Sequence, residues 1–104
     1  MILYNVTINV EDDLHDEWLD WMLNEHIPKV METGMFRTYK MFRIISRISE
    51  EETGTTYSIQ YFADTLEKYD IYREVYAPTL QQQTLDRFGT SNLPMAFRTV
   101  LEEV

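Results

Sequence analysis

Apolar and polar residues alternate strictly at the start of the chain. Ile2, Tyr4, Val6, Ile8 and Val10 fall on one side of a period of two, with Asn5, Thr7 and Asn9 on the other, which predicts a half-buried strand over 2–10. After the acidic run Glu11, Asp12, Asp13 the period becomes helical. It passes first through Leu14, Trp18, Trp21 and Met22 and then through Leu19, Leu23, Ile27 and Val30, and the leading carboxylates suit the positive end of a helix dipole. Pro28 lacks the amide proton that a continuous helix bonds, so a bend is predicted at 26–28. Gly34 offers the left-handed backbone that stops the helix, giving a span of roughly 13–32.

Residues 35–48 carry Phe36, Tyr39, Met41, Phe42, Ile44 and Ile45 and predict a second strand, apolar on both faces. Glu50, Glu51, Glu52, Thr53 and Gly54 form a charged hairpin tip before a third strand over 55–63, where Tyr57, Ile59 and Tyr61 alternate with Thr56, Ser58 and Gln60. Asp64 with Glu67 three positions on reads as a capping box. Leu66, Tyr69, Tyr72, Tyr76 and Leu80 follow at helical spacing, with a kink predicted at Pro78 and a stop at Gly89. A loop over 90–94 leads into a last strand over 95–104, in which Phe97, Thr99 and Leu101 oppose Ala96, Arg98 and Val100.

The order β-α-β-β-α-β predicts a single α+β domain of ferredoxin-like type over 1–104, a four-stranded antiparallel sheet with both helices on one face. The other face would carry Leu3, Asn5, Thr7 and Asn9 from the first strand and Thr56, Ser58, Gln60 and Phe62 from the third. That mixture is too polar for a dry core. Beside the apolar second strand it suits a partly hydrated interface between two copies, so a homodimer is the expected assembly.

The element order, together with the stretch Trp18, Trp21, Met22, His26, Ile27, Pro28 and then Thr33, Gly34, Phe36, resembles the dimeric α/β barrel superfamily. In that superfamily two ferredoxin-like sheets pack face to face and enclose a pocket. The resemblance spans nearly the whole chain in element order, while the residue match is confined to 18–36. It looks most like one of the uncharacterised families, a domain of unknown function, so it implies architecture rather than chemistry. Members that degrade haem use a His on the second helix, and 65–88 contain none. That subgroup is disfavoured and no cofactor is expected.

Charge narrows the partners. A formal net charge of −9 repels phosphate backbones and anionic headgroups, so neither nucleic acid nor a membrane is an expected partner. The absence of cysteine removes disulfides, thiolate metal sites and cysteine nucleophiles. With no export signal visible in the first ten residues, a cytoplasmic place is the expectation. Phosphate loops, a nucleophile elbow and calcium loops find no match.

His26 is the candidate acid or base, because its ordinary pKa lies near neutrality and it sits where Pro28 interrupts the helix. The competing role is a helix-end histidine that meets terminal carbonyls. His15 stands among carboxylates, but eleven residues from His26, ~16 Å along a helix axis, so the two cannot share an ion. It reads as part of a solvated acidic face, and no metal site is expected. Trp18 and Trp21 read as core, or as walls of an aromatic pocket.

Asn5, Thr7, Asn9, Trp21, Tyr39, Arg43, Ser58 and Gln60 are the candidate ligand-binding set, with Arg43 supplying charge. The function these residues suggest is binding of a small polar or aromatic molecule in an inter-sheet cavity. The alternative is an enzyme of the cofactor-independent monooxygenase or isomerase kind that uses His26 as acid or base.

Overall fold

The computed structural model describes residues 1–47, 49–89 and 95–104. Strand β1 (Ile2–Val10) leads into helix α1 (Asp12–Trp21), which passes through a π-helical turn (Met22–His26) into α2 (Ile27–Glu32). Strands β2 (Thr38–Ile44) and β3 (Thr55–Ala63) follow. Then come α3 (Leu66–Ile71), a second π-helical turn (Tyr72–Tyr76), α4 (Ala77–Phe88) and β4 (Met95–Glu102). All four strands join one sheet in the order β2-β3-β1-β4, each neighbouring pair antiparallel. This is the ferredoxin-like α+β arrangement that the order of elements predicts.

The alternation in β1 is a consequence of helices covering only one face. Every second residue from Ile2 to Val10 is buried and those between are half-buried, and β3 repeats the pattern with Tyr57, Ile59, Tyr61 and Ala63 inward. Trp18, Ile27 and Val30 close the core from the helical side. Each such side chain contributes roughly 2 kcal/mol on burial.

Both predicted bends are π turns. Ile27 donates its amide to the Met22 carbonyl and Ala77 donates to that of Tyr72, one residue further back than in an α-helix. A proline follows each donor. Its ring would strike the carbonyl four residues back and it offers no N–H, so a turn wider by one residue accommodates it. The extra residue also shifts the helical phase. Buried positions step by five from Met22 to Ile27 and from Tyr72 to Ala77, which is why the helical spacing in the sequence changes faces partway along.

Two boundaries differ from expectation. Strand β2 ends at Ile44, which pairs with Thr56, while Ile45 beyond it is 84% exposed. Thr65 rather than Asp64 caps α3, its hydroxyl accepting from the Lys68 amide at 3.3 Å. Asp64 is drawn instead to Arg37, at 2.9 Å. Ile48 and the loop read over 90–94 lie outside the described residues.

Gly54 closes the β2–β3 connection at φ +76°, and a Cβ there would overlap the Val10 carbonyl oxygen. Gly54→Ala is therefore expected to cost about 2 kcal/mol, from left-handed strain plus displaced backbone. Gly89→Ala, with open space around it, should cost less than that. Urea unfolding of the two variants checks the ranking, and equal midpoints would contradict it.

Candidate functional site

A cavity of about 400 Å³ lies between the helices and the sheet. Its floor is Tyr4, Val6, Ile8, Ile59 and Tyr61 from the two central strands. Trp18, Trp21, Met22 and His26 form one wall, Tyr72, Leu80 and Leu85 the other, with Gln81 and Thr84 beside them. Ala96 and Arg98 of β4 complete the lining. Both π turns supply wall residues, which fits the tendency of such turns to sit at functional sites.

The His26 ring stacks on Trp21 with centroids 5.0 Å apart, and Trp21 in turn meets the Phe88 ring edge-on. His26 Nδ1 is sealed from solvent and has no hydrogen-bond partner. Burial, with added repulsion from Arg98 and Lys29, pushes the imidazole pKa down to about 4. The ring is thus neutral at neutral pH.

Arg98 is exposed where it lines the cavity, and its Nε donates to the Tyr4 hydroxyl at 3.2 Å. Among the described residues no carboxylate pairs with it. Burial raises the Tyr61 and Tyr72 phenols above their ordinary range, and that of Tyr4 as well despite the nearby guanidinium. All three remain protonated. The cavity thus combines flat aromatic walls with a cluster of hydrogen-bond donors.

The family model described as a domain of unknown function, DUF4286, matches residues 1–104. The chain belongs to the DUF4286 family. No curated protein matches its sequence.

Solved structures share the fold of this DUF4286 chain at low identity. An uncharacterized NIPSNAP domain protein from Burkholderia xenovorans superposes with a TM-score of 0.71 at 16% identity, over 100% of this chain and 95% of that one. A candidate antibiotic biosynthesis monooxygenase from Deinococcus radiodurans gives 0.68 at 14% identity, over 100% and 93%. An ethyl tert-butyl ether d (ethd) family protein from Bacillus halodurans gives 0.67 at 14%, over 100% of both chains. These neighbours share the ferredoxin-like fold.

The sheet divides the residues singled out in the sequence. In this DUF4286 chain Trp21 and His26 line the cavity on the helical side. Asn5, Thr7, Asn9, Ser58 and Gln60 lie together on the opposite face, as expected, because Asn5 pairs with Gln60 and Thr7 with Ser58 across β1 and β3. There Asn5 donates to Thr7 at 3.0 Å, Ser58 donates to Asn5 at 2.6 Å and Gln60 donates to Ser58 at 3.3 Å. Asn9 donates to Thr56 and to the Thr53 carbonyl, each at 3.0 Å.

Tyr39 and Arg43 do not join them. Register places Tyr39 opposite Tyr61 and Arg43 opposite Tyr57, on the helical face, which corrects the expectation that all seven strand residues share one face. Lys40, Phe42 and Ile44 take the open side of β2 instead, opposite Gln60, Ser58 and Thr56. His15 is also placed differently from the solvated face predicted. Its Nε2 lies 2.6 Å from the Tyr57 hydroxyl and its Nδ1 2.9 Å from Asp16. Among the described residues no group of three or more potential ligands is arranged to hold a metal.

Sequence reasoning missed Arg98, Gln81 and Thr84 as cavity residues. A signal for Arg98 was present: it is the one charge between Ala96 and Val100 on a single strand side.

Proposed function

We propose that this chain binds a small molecule with a flat apolar body in the cavity between its helices and sheet, and that two copies pair through the open face of the sheet. The observation that carries the first part is the cavity of about 400 Å³, walled by aromatic rings and holding Arg98, which forms no ion pair among the described residues. Its size lies within the range of small-molecule sites. The pairing is supported by exposed Phe42, Ile44, Phe97 and Leu101 flanking the internally bonded Asn5, Thr7, Ser58 and Gln60 on that face. Apolar edges around a satisfied polar centre suit a hydrated interface.

A second reading is turnover without a cofactor, with His26 as acid or base. It is favoured by the presence of the His26 ring in the cavity wall beside Arg98.

Native mass spectrometry tests binding and pairing together. The expected spectrum shows twice the chain mass with a small molecule retained, and Trp21→Ala lowers that retention. A monomer mass at micromolar concentration overturns the pairing. The cavity reading fails if nothing is retained and no member of a set of aromatic acids, amides and amines adds to the mass.

A further inference from the structure

We infer that the cavity selects a monoanion with a flat apolar body, of the arylcarboxylate class, and that His26 meets it as a neutral Nε2–H donor beside Arg98. This rests on the cavity reading above and names the ligand chemistry of the same site.

The charge distribution is the first support. The chain carries 18 acidic residues against 9 basic ones, yet among the described residues the cavity lining holds Arg98 and His26 and no carboxylate. Arg98 spends its Nε on Tyr4, while the remainder of its fork forms no ion pair among the described residues. Lys29 adds positive potential at His26. A guanidinium left without a counter-charge on an acidic protein, beside an apolar cavity, stabilises an anion by two charge-assisted hydrogen bonds. It disfavours a cation equally.

The histidine geometry is the second. Nδ1 is sealed and unpartnered. A buried N–H with no acceptor is among the rarest arrangements in folded proteins, so the neutral ring carries its proton on Nε2 and leaves only a lone pair on Nδ1. Full protonation would place a donor in the sealed position, in keeping with the depressed pKa of the ring. The lone pair that a general base needs is therefore sealed away. Nε2–H is the group left for an incoming oxygen.

The walls supply the third. Trp18, Trp21 and Tyr72 line the cavity with aromatic surface, which accepts a ring in stacked or edge-on contact.

Both tryptophans of the chain line the cavity, so tryptophan fluorescence reports its occupancy directly. The probes are phenylacetate, phenylacetamide and the phenethylammonium ion, nearly isosteric and differing in charge. Phenylacetate is expected to bind about tenfold more tightly than the amide, the ratio that one charge-assisted hydrogen bond supplies, and the ammonium ion to bind most weakly. Arg98→Gln, at an exposed position, should abolish the preference of acid over amide.

Nitrogen-15 spectra of histidine-labelled protein at neutral pH should show the Nε2–H tautomer for His26. The Nδ1–H tautomer overturns the donor role. Binding of the amide or ammonium ion at least as tight as that of the acid, or an undiminished preference in Arg98→Gln, overturns the anion assignment and leaves the cavity reading standing. If none of the three probes alters the fluorescence at millimolar concentration, both fall.

Discussion

Trp18→Ala is expected to destabilise the chain by about 4 kcal/mol. Trp18 is 1% exposed, meets the Tyr57 ring at 5.4 Å between centroids, and lines the cavity. Truncation removes the transfer energy of the indole and merges its volume with space that is already open. The strands beneath are held in register by their ladder, so they cannot collapse to fill the gap. A small domain has about 5–15 kcal/mol in total, and the variant would lose a large share of that. Urea unfolding followed by circular dichroism measures the loss. A midpoint within error of the wild type would show that the indole is not packed as described.

Acidification should destabilise the protein by about 3 kcal/mol through His26 alone. The folded ring titrates at about 4 against 6.5 for the ordinary value. Between those two values the unfolded chain binds more protons than the folded one, so stability falls as pH is lowered through this window. It is complete above the unfolded value and fully lost below the folded one. His26→Phe keeps an aromatic ring against Trp21 and has no proton to take up. Its stability should change less than that of the wild type between pH 6.5 and 4, with the carboxylates common to both cancelling in the difference. Parallel pH profiles for the two proteins would show that His26 is not buried in its neutral form.

The parts of the fold that were legible in the sequence are those where one face is dry and the other is not. In β1 and β3 that condition holds along the whole strand, so the alternation names both the element and its faces, and it placed Asn5, Thr7, Asn9, Ser58 and Gln60 correctly on one side. Strand β2 lies at the sheet edge and carries apolar residues on both sides. Period alone could not tell which side meets the helices, and Tyr39 and Arg43 were assigned to the wrong one.

Arg98 posed the same difficulty in β4. Its neighbours Ala96 and Val100 are as apolar as Phe97 and Leu101 across the strand, and only its pairing with Val6 places it on the cavity side. Pro28 and Pro78 announced a bend without its kind. The five-residue step from Met22 to Ile27 and from Tyr72 to Ala77 is the trace of the wider turn, and it becomes readable once the two halves are aligned at an offset of fifty residues.

That shared offset makes residue count, more than residue identity, the quantity that shapes the cavity wall. Removing one residue between Met22 and Ile27 would bring the two to the spacing of an α-turn, in which the ring of Pro28 strikes the carbonyl four residues back. Ile27 would keep the inward face that it shares with Met22, but the helix would kink beside His26. Point substitutions at His26 or Tyr72 alter the chemistry of the wall, whereas a one-residue deletion in either turn distorts the backbone that carries it. Insertions and deletions in these two short stretches are therefore the changes least open to a lineage that keeps the site.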